Sequence, residues 1–378
     1  MKKAVVMGAG RTGRGYLGRL LLEKGYETTF LEEKEELVKL LNEYQAFCIH
    51  YFRMDHKPVY VTGFQTYKTY TAEAKQAIAE ADFVFTAVGE QNLGDVAKQL
   101  KIGMEGKQKR TVVMACENGI NPGRVIKTHM QKEGITADYV VSQTAVFCIT
   151  ALLEGTRLDI LSEDIVYFPY DCTEYTDELG FEETVPVRDF EKLLQRKIYT
   201  YNCLTAVIGY SGYLMGMDNY SQTSNTPEVY ELMQRLLKEM NLSFQEHFEL
   251  EQEEQDDFTK KAVLKFTNPY LKDTNMKNCR AAKRKLGPNE RIMAPMKIIM
   301  DHGKDPKILQ FVAAAALVFW EEQQGLNEEP LLEKDPITAF CEINDLQKDD
   351  PIVTAVETYR KIIWENRDNI NIMEILYS

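Results

Sequence analysis

Long apolar runs are missing from this chain. No stretch among its 378 residues approaches the ~20 consecutive apolar positions that a membrane helix needs, so a spanning segment is not expected. A secretory leader is not expected either. Lys2 and Lys3 look like the start of one, but the apolar run Ala4–Met7 is too short and leads into a glycine turn. Patterned cysteine is also missing. The seven cysteines, Cys48, Cys116, Cys148, Cys172, Cys203, Cys279 and Cys341, are odd in number and form no CxxC pair. That excludes a disulfide framework or a zinc knuckle, predicts no metal, and suits reduced thiols in a cytoplasmic protein. Positive charge is in deficit: 45 Lys and Arg against 58 Asp and Glu give a net charge of −13. Such a surface repels phosphate backbones and anionic membranes, so neither nucleic acid nor membrane is an expected partner. Internal repeats and low-complexity tracts are lacking as well, and the acidic run Glu249–Asp257 reads as a solvated helix face or end.

What is present is enough apolar material, 44% of the residues, for the cores of two domains. The first 32 residues are the most informative. Ala4–Met7 reads as a buried strand and is followed at once by Gly8-Ala9-Gly10-Arg11-Thr12-Gly13. Tyr16, Leu17, Leu20, Leu21 and Leu22 then form a helical pattern that ends near Gly25. Tyr26–Leu31 reads as a second strand with Glu32 and Glu33 at its carboxyl end. This is the βαβ unit of a dinucleotide site. Gly8 turns the chain out of the strand, Gly10 admits a pyrophosphate, and Gly13 lets the helix close on the sheet. Arg11 and Thr12 lie in the same loop. Glu32 stands nineteen residues after Gly13, where a carboxylate accepts hydrogen bonds from ribose hydroxyls and repels a 2′-phosphate. NAD is therefore favoured over NADP, with Glu33 able to share the role. A flavin dinucleotide, or a tight βα turn with no nucleotide, are the alternatives.

Alternation continues with a helix over Ala72–Ala81, a strand over Asp82–Val88, a helix over Asn92–Leu100, a strand over Arg110–Cys116 and a strand over Tyr139–Val146. Ligands in such sheets sit beyond the carboxyl ends of the strands, which makes Ala87, Val88, Gly89, Glu117 and Asn118 candidates. From about residue 190 the pattern turns helical. Phe190–Met215, Thr226–Asn241, Leu242–Glu254, Asp256–Phe266, Arg291–His302, Pro306–Gln324, Pro336–Glu342 and Asp350–Glu365 all read as helices. Asp171–Glu183 reads as a transition or an added strand. The expected fold is α/β, an N-terminal doubly wound Rossmann sheet over 1–190 followed by a mostly helical second domain over 191–378.

Five segments in order carry a family resemblance: Gly8 to Tyr16, Ala115-Cys116-Glu117-Asn118, Arg196 to Asn202, Phe266-Thr267-Asn268-Pro269-Tyr270-Leu271, and Arg284 to Arg291. Over nearly its whole length the chain resembles the polyol-specific long-chain dehydrogenases, the mannitol dehydrogenase family. The resemblance implies a metal-free NAD enzyme with its active site between a Rossmann domain and a helical one. It also implies a lysine base, asparagines that hold the reacting oxygen, and a histidine three residues after the second asparagine. Lys197, Asn202 and Asn118 match those roles, while Thr205 stands where the histidine would be. A second departure is Phe147-Cys148, where the family has an Asp-Arg pair. None of the five histidines (His50, His56, His129, His247, His302) occupies a matching position, although His302 is near the basic stretch.

A lysine whose pKa is lowered by burial could take the hydroxyl proton while Asn118 and Asn202 donate to the developing alkoxide. On an ideal α-helix Lys197 and Asn202, five apart, point roughly 140° away from each other, so this geometry is unfavourable as it stands. Lys277, Arg280, Lys283, Arg284, Lys285 and Arg291 form the main basic cluster. Arg280, Lys285 and Arg291, with Thr205, are the candidate substrate residues; a phosphate would suit the arginine fork, and a solvated basic face is the alternative. The expected activity is NAD-dependent interconversion of a sugar alcohol, such as mannitol 1-phosphate, with its ketose, by a monomer or homodimer. The alternatives are a keto-uronate reductase and a catalytically weak NAD-binding protein with a regulatory role.

Overall fold

The computed structural model describes every residue except 54, 178, 180–182, 327–329, 332, 333 and 378. The chain divides into two compact units, Met1–Leu194 and Gln195–Ser378.

In the first unit the strands are β1 (Lys3–Met7), β2 (Glu27–Glu32), β3 (Ala46–Tyr51), β4 (Val59–Thr62), β5 (Gln65–Lys68), β6 (Phe83–Thr86), β7 (Thr111–Ala115), β8 (Tyr139–Gln143), β9 (Thr150–Leu152), β10 (Ile160–Ser162), β11 (Phe168–Asp171) and β12 (Thr184–Val187). Six of them form one parallel sheet in the order β5-β2-β1-β6-β7-β8. The order reverses between β1 and β6, and that switch point opens a crevice above the carboxyl ends of both strands. Alternate residues of β1 serve opposite faces. Ala4 and Val6 join a core with Phe30, Phe85 and Met114, while Val5 and Met7 join one with Leu31, Val84 and Val113. A strand buried on both faces needs a continuous apolar run, which is why Ala4–Met7 shows no alternation.

Two features of this unit depart from the sequence expectation. A second sheet, β4-β3-β10-β9, forms where no strands were assigned. Its parallel pair β3–β10 joins residues more than a hundred positions apart, and β9 and β10 have three residues each, too few to show a period. β8 stops at Gln143 rather than Val146; Thr144 instead bridges to Tyr170, and its Oγ1 donates to the Pro169 carbonyl. Asp171–Glu183 joins β11 to β12, which pair in parallel, and residues 178 and 180–182 of that segment lie outside the described residues.

The described part of the second unit is helical. Its core is the helix Lys307–Glu322, in which every residue from Phe311 to Trp320 is buried. A helix apolar all round belongs inside, packed on several neighbours. The expected break at Asn241–Leu242 does not occur. One helix runs Pro227–Phe248, and the next starts at Gln252 rather than Asp256. Asn241 and Ser243 are polar but not terminal. Asn241 Nδ2 donates to Asp256 Oδ1 at 2.8 Å, and Ser243 Oγ donates to the Glu239 carbonyl within its own helix. The true stop is Glu249, whose left-handed φ of 56° ends the helix with its N–H on the Gln245 carbonyl.

Candidate functional site

The glycine-rich loop follows β1, and its three glycines have different causes. Gly8 has φ +94°, and a Cβ there would lie 2.6 Å from the Ala87 carbonyl oxygen. A Cβ on Gly13 would lie 2.0 Å from the Gly8 carbonyl oxygen. Both positions are dictated by the protein's own backbone. Gly10 is not, because a Cβ there meets no heavy atom within 4 Å. Glycine at 10 leaves the backbone bare on a side that the protein itself does not fill, as close approach of a pyrophosphate requires. Arg11 is exposed and Thr12 half-buried beside it. The helix that follows opens as a wide π turn over Gly13–Gly18 before tightening into Arg19–Glu23.

Glu32 ends β2 and is buried. Its Oε2 accepts from the Ala9 N–H and its Oε1 from the Lys34 N–H, both at 2.9 Å. Each carboxylate oxygen keeps a second lone pair for a ribose hydroxyl. Ala9 is held from its other side too, because Arg14 Nε donates to the Ala9 carbonyl at 2.7 Å. Arg14 is only 1% exposed, donates also to the Leu158 carbonyl, and lies over the Phe47 ring. Burial pushes its guanidinium down to about 10, against the pull of Glu32 and Asp159. The second sheet thus braces the loop: Phe47 comes from β3, and Gly15 sits so close to Ile160 of β10 that a Cβ would meet it at 2.5 Å. The sequence reading missed Arg14. Its signal was a charged residue between two glycines on what is otherwise an apolar helix face.

On the other side of the switch point, Glu117 is buried and accepts from the Val88 and Gly89 N–H groups, each at 2.9 Å. It fixes the turn after β6, where Gly89 has φ +90°. Ala87, Val88, Gly89 and Glu117 therefore form one hydrogen-bonded unit beside Gly8, and Asn118 follows it, exposed. The Phe147-Cys148 pair carries no charge into this unit's surface: both residues are buried, and Phe147 packs on Tyr167.

In the second unit the helix ending at Lys197 widens into a π turn over Ile198–Asn202 and then continues as Cys203–Leu214. In this turn the Cys203 N–H reaches back five residues to the Ile198 carbonyl. A π turn winds more residues into each turn, so positions five apart lie closer to one side and the 140° conflict of an ideal helix narrows for Lys197 and Asn202. Lys197 is 6% exposed. Burial pushes its ammonium down to about 7, and repulsion from Lys265 and Arg291 adds to the shift. Its neighbour Arg196 anchors the turn, with Nε donating to Gln255 at 2.9 Å and the guanidinium 4.1 Å from the Phe258 ring. The polar run Glu249–Asp257 thus contains Arg196's partners, Glu254 and Gln255. Thr205 Oγ1 donates to the Asn202 carbonyl at 2.7 Å, so its hydroxyl proton is committed to its own helix.

The basic stretch splits into inward and outward members. Lys285 is buried and pushed down to about 7 by desolvation and by Arg291. Arg291 is mostly buried and lowered by the same desolvation, with Nε on Glu290 Oε2 at 3.1 Å. Burial works against ionisation of Glu290, yet Arg291 and Arg284 hold its carboxyl below the usual range. Lys277 pairs with Asp273 and Arg284 with Glu290, while Arg280 is exposed next to Ala281, whose φ is +58°. The unit thus gathers Lys197, Lys285, Arg291 and the half-buried Lys265. Lys265 was missed in the sequence, although it directly precedes Phe266-Thr267-Asn268-Pro269. His302 is directed elsewhere: its Nδ1 is 2.8 Å from the Ile298 carbonyl and its ring stands against His247.

The mannitol dehydrogenase Rossmann domain matches residues 2–152, and the mannitol dehydrogenase C-terminal domain matches residues 189–371. A mannitol-1-phosphate 5-dehydrogenase of Shouchella clausii is 32% identical over 374 residues, covering 94% of this chain and 99% of the relative. The chain belongs to the mannitol dehydrogenase family. As a member it is an NAD-dependent oxidoreductase, and the glycine loop with Glu32 fits that cofactor. A mannitol-1-phosphate 5-dehydrogenase of Emericella nidulans is 27% identical over 388 residues, covering 97% of this chain and all of the relative. The fold is shared with the ternary complex of Pseudomonas fluorescens mannitol 2-dehydrogenase with NAD and D-mannitol, at a TM-score of 0.76 and 15% identity over 99% of this chain and 93% of that one. No helix among the described residues is long and apolar enough to cross a membrane.

Proposed function

We propose that this chain interconverts a hexitol phosphate and its ketose phosphate, with mannitol 1-phosphate and fructose 6-phosphate the favoured pair. Residues 1–190 bind NAD through Gly8, Gly10, Arg11, Thr12, Gly13, Glu32, Ala87, Val88, Gly89 and Glu117. Residues 191–378 supply the proton chemistry. Bound NAD supplies the hydride acceptor. The observation that carries the reading is Lys197: a buried lysine at about 7, set on a π turn with Asn202 five residues on. At neutral pH it is divided between amine and ammonium, so it can take the hydroxyl proton in one direction and return it in the other. Asn202 and Asn118 donate N–H groups to the oxygen that gains charge.

Phosphate recognition rests on the cations Lys285, Arg291 and Arg280. Arg291 lies close enough to Lys197 and Lys285 to lower both, and a phosphate dianion suits such a grouping of cations. Thr205 lacks a histidine's ring and its titration, and accepts rather than donates toward substrate. The chain works on this small molecule in the cytoplasm as a monomer or homodimer and engages no nucleic acid. The seven free cysteines support the reducing compartment, and the net charge of −13 argues against a phosphate backbone as partner. A binding-only regulatory role is the second reading, favoured by Thr205 and the uncharged Phe147-Cys148 pair.

The test follows NADH absorbance with ketoses, ketose phosphates and keto-uronates, beside Lys197→Ala. Turnover of fructose 6-phosphate that the variant loses supports the proposal. Tight NADH binding with no turnover of any panel member favours the second reading.

A further inference from the structure

Among the described residues, six that are not glycine have positive φ: Gln45, Tyr70, Asp189, Glu249, Ala281 and Asp345. Gln45, Glu249 and Asp345 end helices, where the left-handed conformation is the ordinary stop. Tyr70 is different. It is the one aromatic among the six, its φ is +63°, and it lies in the strand-to-helix turn between β5 and Ala72–Glu80. A bulky side chain in that conformation is strained, and strain of this kind persists where the surroundings impose it. The ring gains little burial in return, since Tyr70 remains 54% exposed. It is nevertheless pinned: the hydroxyl donates to Asp95 Oδ1, and Asp95 Oδ2 is held by Gln99 Nε2 at 2.8 Å.

Its position gives the reason. The residue before it, Thr69, donates its N–H to the carbonyl of Glu32 at 3.2 Å. Glu33 lies close enough to act electrostatically on the Tyr70 hydroxyl. Tyr70 therefore stands at the carboxyl edge of the sheet, beside the carboxylate assigned to the adenosine ribose. β5 pairs in parallel with β2 and sets Lys68 opposite Glu32, so the turn that follows β5 is the surface beside the end of β2.

We infer that Tyr70 is a rigid stacking platform for the adenine ring of the cofactor, held in place by Asp95. The inference rests on the proposed dinucleotide site and adds a residue from outside the glycine loop. An adenine presents a π face to any aromatic ring, and base–aromatic stacking is sequence-tolerant but strong enough to measure. A ring already fixed by a hydrogen bond loses little further freedom on binding.

The experiment is calorimetric titration of the full chain with NADH, ADP-ribose and reduced nicotinamide mononucleotide, using wild type, Tyr70→Phe, Tyr70→Ala and Tyr70→Gly. Tyr70→Ala and Tyr70→Gly are expected to weaken NADH and ADP-ribose by about tenfold or more. Binding of the mononucleotide, which lacks adenine, should not change. Tyr70→Phe keeps the ring and most of the affinity. Tyr70→Gly also relieves the positive φ, so its thermal midpoint should not fall, whereas a residue that merely plugs the surface would lower it on removal. If wild type binds NADH and both ring-deleting variants bind ADP-ribose as tightly, the platform is wrong and the dinucleotide site stands. If wild type binds neither NADH nor ADP-ribose, the dinucleotide reading itself fails and the platform falls with it.

Discussion

The first domain leaves bare backbone at its glycine loop, and the second buries side-chain charge. At the switch point of the first, Gly10 leaves backbone bare on its open side, and the charged residues nearby serve the loops. Arg14 and Glu32 tie down Ala9, and Glu117 ties down Val88 and Gly89. In the second domain the charges themselves are buried, since Lys197 and Lys285 are both desolvated to about 7 around Arg291. Backbone recognition of a cofactor needs fixed turns and tolerates no titration. Proton transfer needs a group held in an environment that does not favour its charge. The two domains should therefore fail in different ways when perturbed.

The largest effect is expected from Lys197→Ala. Removing the base should lower kcat by about 10²–10⁴-fold and leave NADH affinity unchanged. Equal losses in kcat and in NADH affinity would erase the contrast between the domains. Next in size, Asn202→Ala should cost about a hundredfold in kcat, the usual worth of one oxyanion donor, again without effect on NADH binding. Glu32→Ala should act only on the cofactor side. NADH binding should weaken by about tenfold, the cost of a charged hydrogen bond. The gain for NADPH should be small, because the same substitution releases the Ala9 N–H and loosens the loop. A clean switch to NADPH would show that Glu32 does no structural work.

The smallest effect is on stability. A lysine lowered to about 7 in the folded state, against about 10.4 unfolded, binds fewer protons folded than unfolded between those values. Stability should therefore rise with pH from about 7 to about 10 and lie at its low plateau below about 7. Lys197→Met removes that penalty. It should raise the thermal midpoint at pH 7 by a few degrees, about 2–4 °C per kcal/mol for a domain of this size, while abolishing turnover.

This contrast also explains what could be read from the sequence. A tight backbone turn leaves a mark in residue type, because only glycine serves at Gly8 and Gly13, and a strand buried on both faces is a short apolar run. Gly8 to Glu32 was legible for that reason. The π turn was not: nothing in Ile198–Asn202 announces a reach of five residues, so Lys197 and Asn202 looked misaligned. Burial of single charges was equally hidden. Lys285 and Lys283 are alike as letters, and only packing makes one a core cation. The sheet β4-β3-β10-β9 escaped because its pairing is long-range and its strands are too short for periodicity.

The most direct test is the pH dependence of both reaction directions with wild type and Lys197→Ala. Oxidation of mannitol 1-phosphate needs the neutral amine, so its kcat/KM should rise through about 7 and level off. Reduction of fructose 6-phosphate needs the ammonium and should decline as pH rises through the same point. The residual activity of Lys197→Ala should lack that inflection in both directions. A wild type that turns over neither substrate would contradict the proposed reaction, and an inflection near 7 that survives in Lys197→Ala would contradict Lys197 as the base.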